Sequence, residues 1–173
     1  IYSAGVTSSV EMFIDSLLEN MIETLDIAHS LENVLSSFSF NFESNVAKSI
    51  LCAYISFYIL QDQGWKSTPI RKKFLLASLI QDIYLDNDDL SKLKSLSDPN
   101  IVNFSELEIK SFSEHHEKIA IIAQQLNKYP ELDFLLIQHH ERARRDGFPN
   151  RPSPAELQLA VCVFNMCSQF SLE

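Results

Sequence analysis

Apolar residues recur at helical spacing along most of the chain, and polar residues fill the positions between them. From about residue 9 to about residue 36, the apolar positions follow one helical face and acidic residues follow another. A second segment, from about residue 43 to residue 61, is apolar on most sides, which is typical of a central, buried helix. The pattern therefore predicts two long helices in the first third of the chain.

Local capping signals predict where further helices begin. Pro69 suits the first turn of a third helix, with Thr68 as its cap. Ser105 and Glu108 form a capping-box pattern, in which each side chain bonds to the backbone of the other, and this pattern opens a fourth helix. The region between these two helices is acidic and rich in turn-forming residues.

The last third of the chain predicts two more helices. One is expected from about residue 131 to residue 142, and the other from residue 155 to residue 170, with Ser153 as its cap. Only three glycines occur in the chain, whereas strand-and-turn architectures usually need more. We therefore expect an all-α fold.

Size, charge and cysteine usage narrow the class of protein. A chain of 173 residues suits one domain, and its net charge of −9 argues against non-specific binding to nucleic acid. No apolar stretch reaches about 18 residues, so no membrane span is expected. Three cysteines without a paired spacing, Cys52, Cys162 and Cys167, are interpreted as buried thiols of a cytoplasmic protein. The chain starts at Ile1 rather than at methionine, which predicts that it is cut from a longer polypeptide.

Two pairs of adjacent histidines are the most informative polar residues. Adjacent imidazoles, as in His115-His116 and His139-His140, can reach the same or neighbouring metal positions. Asp82 lies inside an apolar run, where a carboxylate is costly unless it is paired or bound to a metal. Taken singly, each feature is also compatible with an exposed histidine or a solvated carboxylate. Together they indicate a metal site.

Three short segments carry a resemblance to a known family. Gln81–Leu85 matches a His-Asp-Ile-Gly-Lys signature in its aspartate and isoleucine, and His115–Lys118 matches the helix start His-Pro-Glu-Lys with His116 in the proline place. His139–Arg142 reproduces His-His-Glu-Arg, and Gly147-Phe148-Pro149 reproduces the end of a following Gly-X-Gly-Tyr/Phe-Pro loop. These motifs resemble those of the HD-GYP family, a branch of the bacterial HD-domain metal-dependent phosphohydrolases.

The resemblance covers roughly residue 42 to the C-terminus. It implies an HD-domain-like helical bundle of about six to seven helices. Residues 1–41 would be an N-terminal helical segment, serving as a linker or dimerisation helix, and residues 42–173 would be the degenerate HD-GYP-like domain. Typical members hydrolyse the second messenger cyclic di-GMP. A bridging pair of metal ions, often iron, activates a water molecule between them.

The chain departs from the family mainly at the first of the two metals. The resemblance implies that Phe42 falls near an early histidine ligand, Gln81 replaces the signature histidine, and Ser168 lies near the place of a late aspartate. The earlier loop glycine is Arg145, and the signature lysine, which would lie beside the scissile phosphate, is Leu85. The first metal site would therefore be lost.

The second metal site keeps the complete set that the resemblance implies. Its ligands would be Asp82, His115, His139 and His140. Three imidazoles and one carboxylate can hold iron, manganese or zinc, or can persist as a relic without metal. We therefore expect a catalytically weak or inactive domain in cyclic di-GMP signalling. The alternatives are an active phosphodiesterase that uses the single retained metal, and a purely structural helical domain.

Four arginines near the Gly-Phe-Pro loop suggest how such a domain would bind a partner. They form a local basic patch in an acidic chain, and guanidinium groups suit phosphates. The patch consists of Arg142, Arg144, Arg145 and Arg151. Cyclic di-GMP, an acidic surface of a signalling protein, or a second copy of the chain are the partners considered. The alternative is a solvated loop whose arginines interact with a helix C-terminus.

Overall fold

In the computed structural model, which describes residues 6–37 and 44–171, the chain forms an all-α bundle. Two short 3₁₀ turns, Leu90–Lys92 and Pro99–Asn103, connect the fourth and fifth helices. No strand occurs in either described range, so the predicted fold class is confirmed. Within these described ranges there are seven helices, namely α1 Ser8–Ala28, α2 Leu31–Ser37, α3 Asn45–Asp62, α4 Thr68–Ile80, α5 Glu106–Ala123, α6 Leu132–Ile137 and α7 Leu159–Phe170.

The first predicted helix is in fact two helices. His29 takes a left-handed conformation with φ of 62°, which ends α1. The hydroxyl of Ser30 then accepts a hydrogen bond from the Asn33 amide at 3.2 Å and caps α2. Apolar spacing alone did not reveal this break because α2 continues the same apolar pattern.

Hydrogen bonds at the helix N-termini explain which other helix starts were predicted correctly and which were not. Ser105 and Glu108 form the expected capping box at the start of α5. The cap of α4 is Ser67 and not Thr68, although Pro69 lies in the first turn as expected. The last helix begins at Leu159 rather than residue 155, because the Ser153 amide bonds to the Glu156 carboxylate at 2.6 Å and closes an isolated turn.

The buried α3 lies at the centre of the main hydrophobic core, as its apolar pattern predicts. Its Phe57 and Leu60 are fully buried, and α4 and α7 pack together beside it through an edge contact of Phe74 with Phe164, with ring centroids 5.8 Å apart. The same core includes Leu18 of α1, so the N-terminal helix packs with the rest of the bundle. Phe42 and the predicted boundary at residues 41 and 42 lie outside the described residues.

Ion pairs add a second connection between α1 and α4. Lys72, which is 8% exposed, donates hydrogen bonds to Asp15 at 2.6 Å and Glu19 at 2.7 Å. The hydroxyl of Tyr129 also donates to Asp15, at 3.1 Å. One carboxylate therefore joins α1, α4 and the turn before α6.

A smaller hydrophobic cluster supports the segment that follows α4. Leu85 is part of it and is 6% exposed, so the position that the resemblance assigns to a lysine belongs to a hydrophobic core in this chain. Phe112 of α5 and Phe148 of the Gly-Phe-Pro loop belong to the same cluster, which therefore joins α5 to this loop. None of the helices in the described parts of the chain has the length and apolarity needed to cross a bilayer.

The three cysteines do not share one environment. Cys52 and Cys167 are buried, and burial raises the pKa of both thiols, to about 12 and about 11 respectively. Cys162 is exposed, so its expected burial was wrong. It lies on the solvent side of α7, whose inward positions are taken by Val161 and Phe164.

Candidate metal centre

Three parts of the bundle bring four candidate ligands together. Asp82 lies in the turn after α4, His115 in the middle of α5, and His139 and His140 in the turn after α6. One ligand atom from each residue lies within 4.8 Å of the corresponding atoms of the others. The cluster predicted from the sequence therefore exists as a spatial cluster.

His115 is the centre of this cluster. Its Nε2 lies 3.0 Å from Nε2 of His139 and 3.1 Å from Nε2 of His140. The Nδ1 atoms of His115 and His139 lie 2.6 Å and 2.5 Å from the backbone carbonyls of Phe112 and Leu136. A carbonyl only accepts, so each Nδ1 carries the proton and each Nε2 presents a lone pair. Two lone pairs at this distance repel each other unless a cation lies between them.

Asp82 supplies the fourth donor atom. Its Oδ1 lies 3.5 Å from Nε2 of His115 and 3.9 Å from Nε2 of His139, and this buried oxygen has no hydrogen-bond partner among the described residues. Ligand atoms around one first-row metal ion lie about 3.0–3.4 Å apart, given metal–nitrogen distances of about 2.0–2.1 Å. The donor set therefore fits one such ion after a small contraction.

Electrostatics favour the metal-binding forms of these groups. Burial lowers the pKa of His115 and lowers that of His140 still further, so both rings stay neutral. Burial raises the pKa of the Asp82 carboxyl, but the neighbouring His115 and His139 side chains outweigh burial, and the net shift of the Asp82 pKa is downward. Neutral imidazoles and an ionised carboxylate are the forms that bind metal without first releasing a proton.

The turn that carries His139 and His140 is held by two buried polar residues. Glu141, 1% exposed, accepts hydrogen bonds from the backbone amides of Asn150 at 2.5 Å and Arg151 at 3.0 Å. The Asn165 amide of α7 donates to the carbonyls of Gln138 at 2.9 Å and Glu141 at 2.7 Å. Because α7 takes up these carbonyls, α6 ends at Ile137 and not at residue 142 as predicted.

The Gly-Phe-Pro loop packs directly on the histidines. A side chain at Gly147 would place its Cβ 2.2 Å from the carbonyl oxygen of His140, so only glycine fits this approach. The Phe148 ring stacks on the His140 ring with centroids 4.4 Å apart, and Pro149 follows it at the surface. The loop predicted as part of the site therefore fixes the orientation of one ligand.

His116 lies beside the cluster but is not one of its ligands. Both of its ring nitrogens are buried without a hydrogen-bond partner among the described residues. Burial lowers its pKa to about 4, which keeps the ring neutral at physiological pH. It packs against Phe148, with ring centroids 5.4 Å apart.

The four arginines of the predicted patch have different surroundings. Arg142 and Arg144 line a pocket of about 380 Å³ between the loop and α7. Arg145 is exposed in a left-handed conformation, and Arg151 donates from Nε to the Gly147 carbonyl at 3.1 Å. The binding role of the patch stays a prediction.

Two further cavities meet Asp82. A cavity of about 20 Å³ lies beside the histidines; it is lined by eleven residues that include Asp82, His139, His140, Lys48, Gln81 and Ser168. An apolar groove of about 450 Å³ approaches Asp82 from α1, α3 and α4. Lys48 was missed by the sequence analysis, although it is the one basic residue of α3, a helix that is apolar on most sides. The positive charge of Lys48 within this apolar segment was the feature of the sequence that could have identified it.

Comparison of the chain with protein-family models, with curated proteins and with solved structures finds no match.

Proposed function

We propose that this chain is a degenerate HD-GYP-like domain that holds one transition-metal ion and acts by binding rather than by hydrolysis. The observation that carries the proposal is the contrast across Asp82. Three histidine nitrogens and an Asp82 oxygen lie within 4.8 Å of one another, whereas the lysine, glutamine and serine that line the adjoining cavity supply no second set of metal ligands. One metal position has its ligands and the neighbouring position does not.

Hydrolysis of a phosphodiester by this family's mechanism needs two ions, which stabilise the attacking and the leaving oxygens. Losing one ion should lower the rate on the order of a thousandfold or more. The cavity beside the ligands, about 20 Å³, has room for one water molecule and not for a sugar–phosphate group. Both considerations support a domain with little or no turnover.

The bound ion would be iron, manganese or zinc, held by Asp82, His115, His139 and His140. A cation supplies the charge that the converging lone pairs and the unpaired Asp82 oxygen require. It would also join the end of α4, the middle of α5 and the turn after α6. Because the unfolded chain has no such preformed site, metal binding stabilises the folded state.

The pocket that Arg142 and Arg144 line is our candidate for ligand or partner binding. Its volume of about 380 Å³ lies in the range of small-molecule sites. Two guanidinium groups suit the phosphates of cyclic di-GMP or the acidic surface of a signalling protein. Gln169 lines both this pocket and the metal-side cavity, so a bound ligand would lie next to the metal centre without entering it. The proposal also includes a cytoplasmic location of the protein and a second copy of the chain as its partner in a homodimer.

One observation favours the alternative of an active, single-metal phosphodiesterase. The retained ligand set is complete, and the adjacent cavity can hold the water molecule that a metal ion would activate. This alternative requires the enclosed site to open for its substrate.

Elemental analysis of the purified protein, run beside a cyclic di-GMP hydrolysis assay with added manganese or iron, tests the proposal. We expect about one metal ion per chain and no linear product. Product that forms with wild type and disappears in His139→Ala would establish the alternative instead. The control is His29→Ala, which removes an exposed histidine far from the cluster and should change neither result. A wild-type protein that binds neither metal nor cyclic di-GMP would leave the purely structural helical domain.

A further inference from the structure

Cys162 is an exposed thiol that the proposed function does not use. It lies near the start of α7 and lines the pocket of about 380 Å³ that Arg142 and Arg144 also line. The other pocket residues of α7 follow Cys162 at helical spacing and so share its face of the helix: Asn165, Met166 and Gln169. A nucleophilic sulfur therefore lies in the wall of a pocket of small-molecule size.

The accessible charge of this pocket is positive. Arg142 lies 3.6 Å from an oxygen of Asp146, and it donates to the side-chain oxygen of Gln169 at 3.5 Å. Arg144 is exposed and has no ion-pair partner among the described residues. Glu141 also lines the pocket, but it is 1% exposed and its carboxylate accepts hydrogen bonds from two backbone amides. The two guanidinium groups therefore favour a ligand that carries carboxylates.

A buried amide oxygen adds an unmet hydrogen bond at the same pocket. Asn165 is 6% exposed, and its side-chain nitrogen donates to the carbonyls of Gln138 at 2.9 Å and Glu141 at 2.7 Å. Both partners only accept, so the orientation of the amide is fixed and Oδ1 is left as an acceptor. This oxygen has no donor among the described residues. Because an unpaired buried acceptor is costly, a ligand with an N–H group would be favoured here.

These three features together define the chemistry of a ligand. It should have carboxylates for the guanidinium groups, an N–H donor for Asn165 and a group that reacts with a thiol. Reactive cysteines typically lie in electropositive, partly exposed surroundings, as Cys162 does. The disulfide of an anionic, low-molecular-weight peptide thiol has all three groups, and glutathione disulfide is a convenient probe of this class.

We propose that Cys162 is a site of reversible thiolation by disulfides of anionic, low-molecular-weight peptide thiols, whose carboxylates Arg142 and Arg144 bind. The Cys162 thiolate forms an S–S bond with one sulfur of the ligand, and the S–S bond of the ligand breaks. The other sulfur leaves with the electron pair and takes a proton from water, so half of the ligand is reduced as Cys162 is oxidised. This site goes beyond the proposed function, because it needs no metal ion, and its adduct would fill the pocket in which that function places a ligand or partner.

The test compares two disulfides of opposite charge, glutathione disulfide and the cationic cystamine, on the full chain after reduction and removal of the reductant. Mass spectrometry measures the rate at which Cys162 gains each group. We expect Arg144→Gln to lower the ratio of the glutathione rate to the cystamine rate about tenfold at low ionic strength. The ratio is informative because a change in thiol reactivity alone would move both rates in the same direction.

Three further variants keep the result specific. Arg145→Gln is the matched control, because Arg145 is the exposed neighbour of Arg144 and is not among the described residues that line the pocket. Its rate ratio should stay within about twofold of wild type, and Arg144→Lys, which keeps the charge, should do the same. Cys162→Ser should gain neither group while the chain is folded, because Cys52 and Cys167 are buried.

Two outcomes would overturn the inference. A rate ratio in Arg144→Gln equal to that of wild type would mean that Cys162 is an exposed thiol without a ligand site. A folded wild-type chain that forms no adduct with glutathione disulfide would exclude the modification itself. Neither result depends on the metal centre, whose failure elemental analysis detects, so the two proposals can fail separately.

Discussion

Two groups of residues meet at the Asp82 carboxylate, and they differ in charge. We call them the histidine side, which consists of His115, His139 and His140, and the lysine side, which consists of Lys48, Gln81 and Ser168. His139 and His140 also line the cavity that the lysine side lines. The histidine side directs the Nε2 lone pairs of His115 and His139 towards each other, an arrangement that a cation stabilises. The lysine side already contains a cation, which would repel a metal ion.

For the HD-GYP-like domain that we propose, this difference means that the number of replaced ligands understates how unfavourable the second metal position is. Replacing a ligand by a neutral side chain weakens metal binding, but a buried lysine nearby also opposes it through charge. A lysine cannot replace the Lewis acidity of a metal ion, because it withdraws no electron density from a coordinated oxygen. The lysine side can therefore balance charge without restoring two-metal chemistry.

Replacing His115 should have the largest effect on the histidine side. Its Nε2 is the atom nearest to both other histidine nitrogens, so His115→Ala leaves a gap in the middle of the ligand set. We expect metal affinity to fall by more than about a hundredfold, since removing even a partner of a ligand typically lowers it by about 10–100-fold. A competition titration against a chelator with known affinity measures the change.

The matched control for this variant is His116→Phe. His116 is the adjacent buried histidine and makes no hydrogen bond among the described residues. Its replacement should leave metal affinity nearly unchanged. Equal losses in the two variants would mean that packing in this part of α5, and not ligation, controls metal binding.

Gly147→Ala should have an intermediate effect, because it acts on the histidine side through the backbone. The new Cβ would lie 2.2 Å from the His140 carbonyl oxygen, so the loop must shift and Phe148 with it. We expect the free energy of unfolding to fall by about 1–3 kcal/mol and metal affinity to fall about tenfold. Denaturant unfolding and the same chelator titration provide the two measurements.

Gly64→Ala separates the local clash from a general effect of losing a glycine. Gly64 has φ of 77°, but an added Cβ would meet no atom within 4 Å. We expect a loss of about 1 kcal/mol from backbone strain and no change in metal affinity. Weaker metal binding in Gly64→Ala would contradict the role assigned to the Gly147 contact.

The smallest expected effect concerns Asp15, which belongs to neither the histidine side nor the lysine side. Replacing it tests whether acid lowers the free energy of unfolding independently of the metal centre. Hydrogen bonding from Lys72 lowers the pKa of Asp15, which also accepts from Tyr129. A lowered folded-state pKa means that the stabilisation is complete above the unfolded pKa of about 3.9 and is lost as pH falls through the lower folded value. Asp15→Asn should therefore reduce the free energy of unfolding by about 1 kcal/mol at neutral pH.

Urea unfolding of metal-free protein at several pH values measures this effect. The difference between wild type and Asp15→Asn should be constant from pH 7 to pH 5 and should shrink below about pH 4. A difference that instead changes between pH 7 and pH 5 would assign the acid sensitivity to other groups. Loading the protein with metal should leave the difference unchanged.

Features that depend on neighbouring residues were predictable from the sequence. The capping box at Ser105 formed as expected because its partners are three residues apart. Boundaries failed where a distant residue intervened. α6 ends early because Asn165, 27 residues away along the chain, binds the Gln138 carbonyl. Ligand identities were predictable as a motif, but the burial and orientation of their rings were not.

The sequence by itself determined an all-α fold and named the four residues that form the cluster, because helical spacing and short motifs are local properties. Only the tertiary structure decided that the lone pairs converge, that Gly147 touches the His140 backbone, and that Lys48 faces the same cavity as Asp82. These relations join parts of the chain that are far apart in sequence, such as Lys48 and Ser91, which are 43 positions apart. Their distances follow from how the helices pack, which no local pattern encodes.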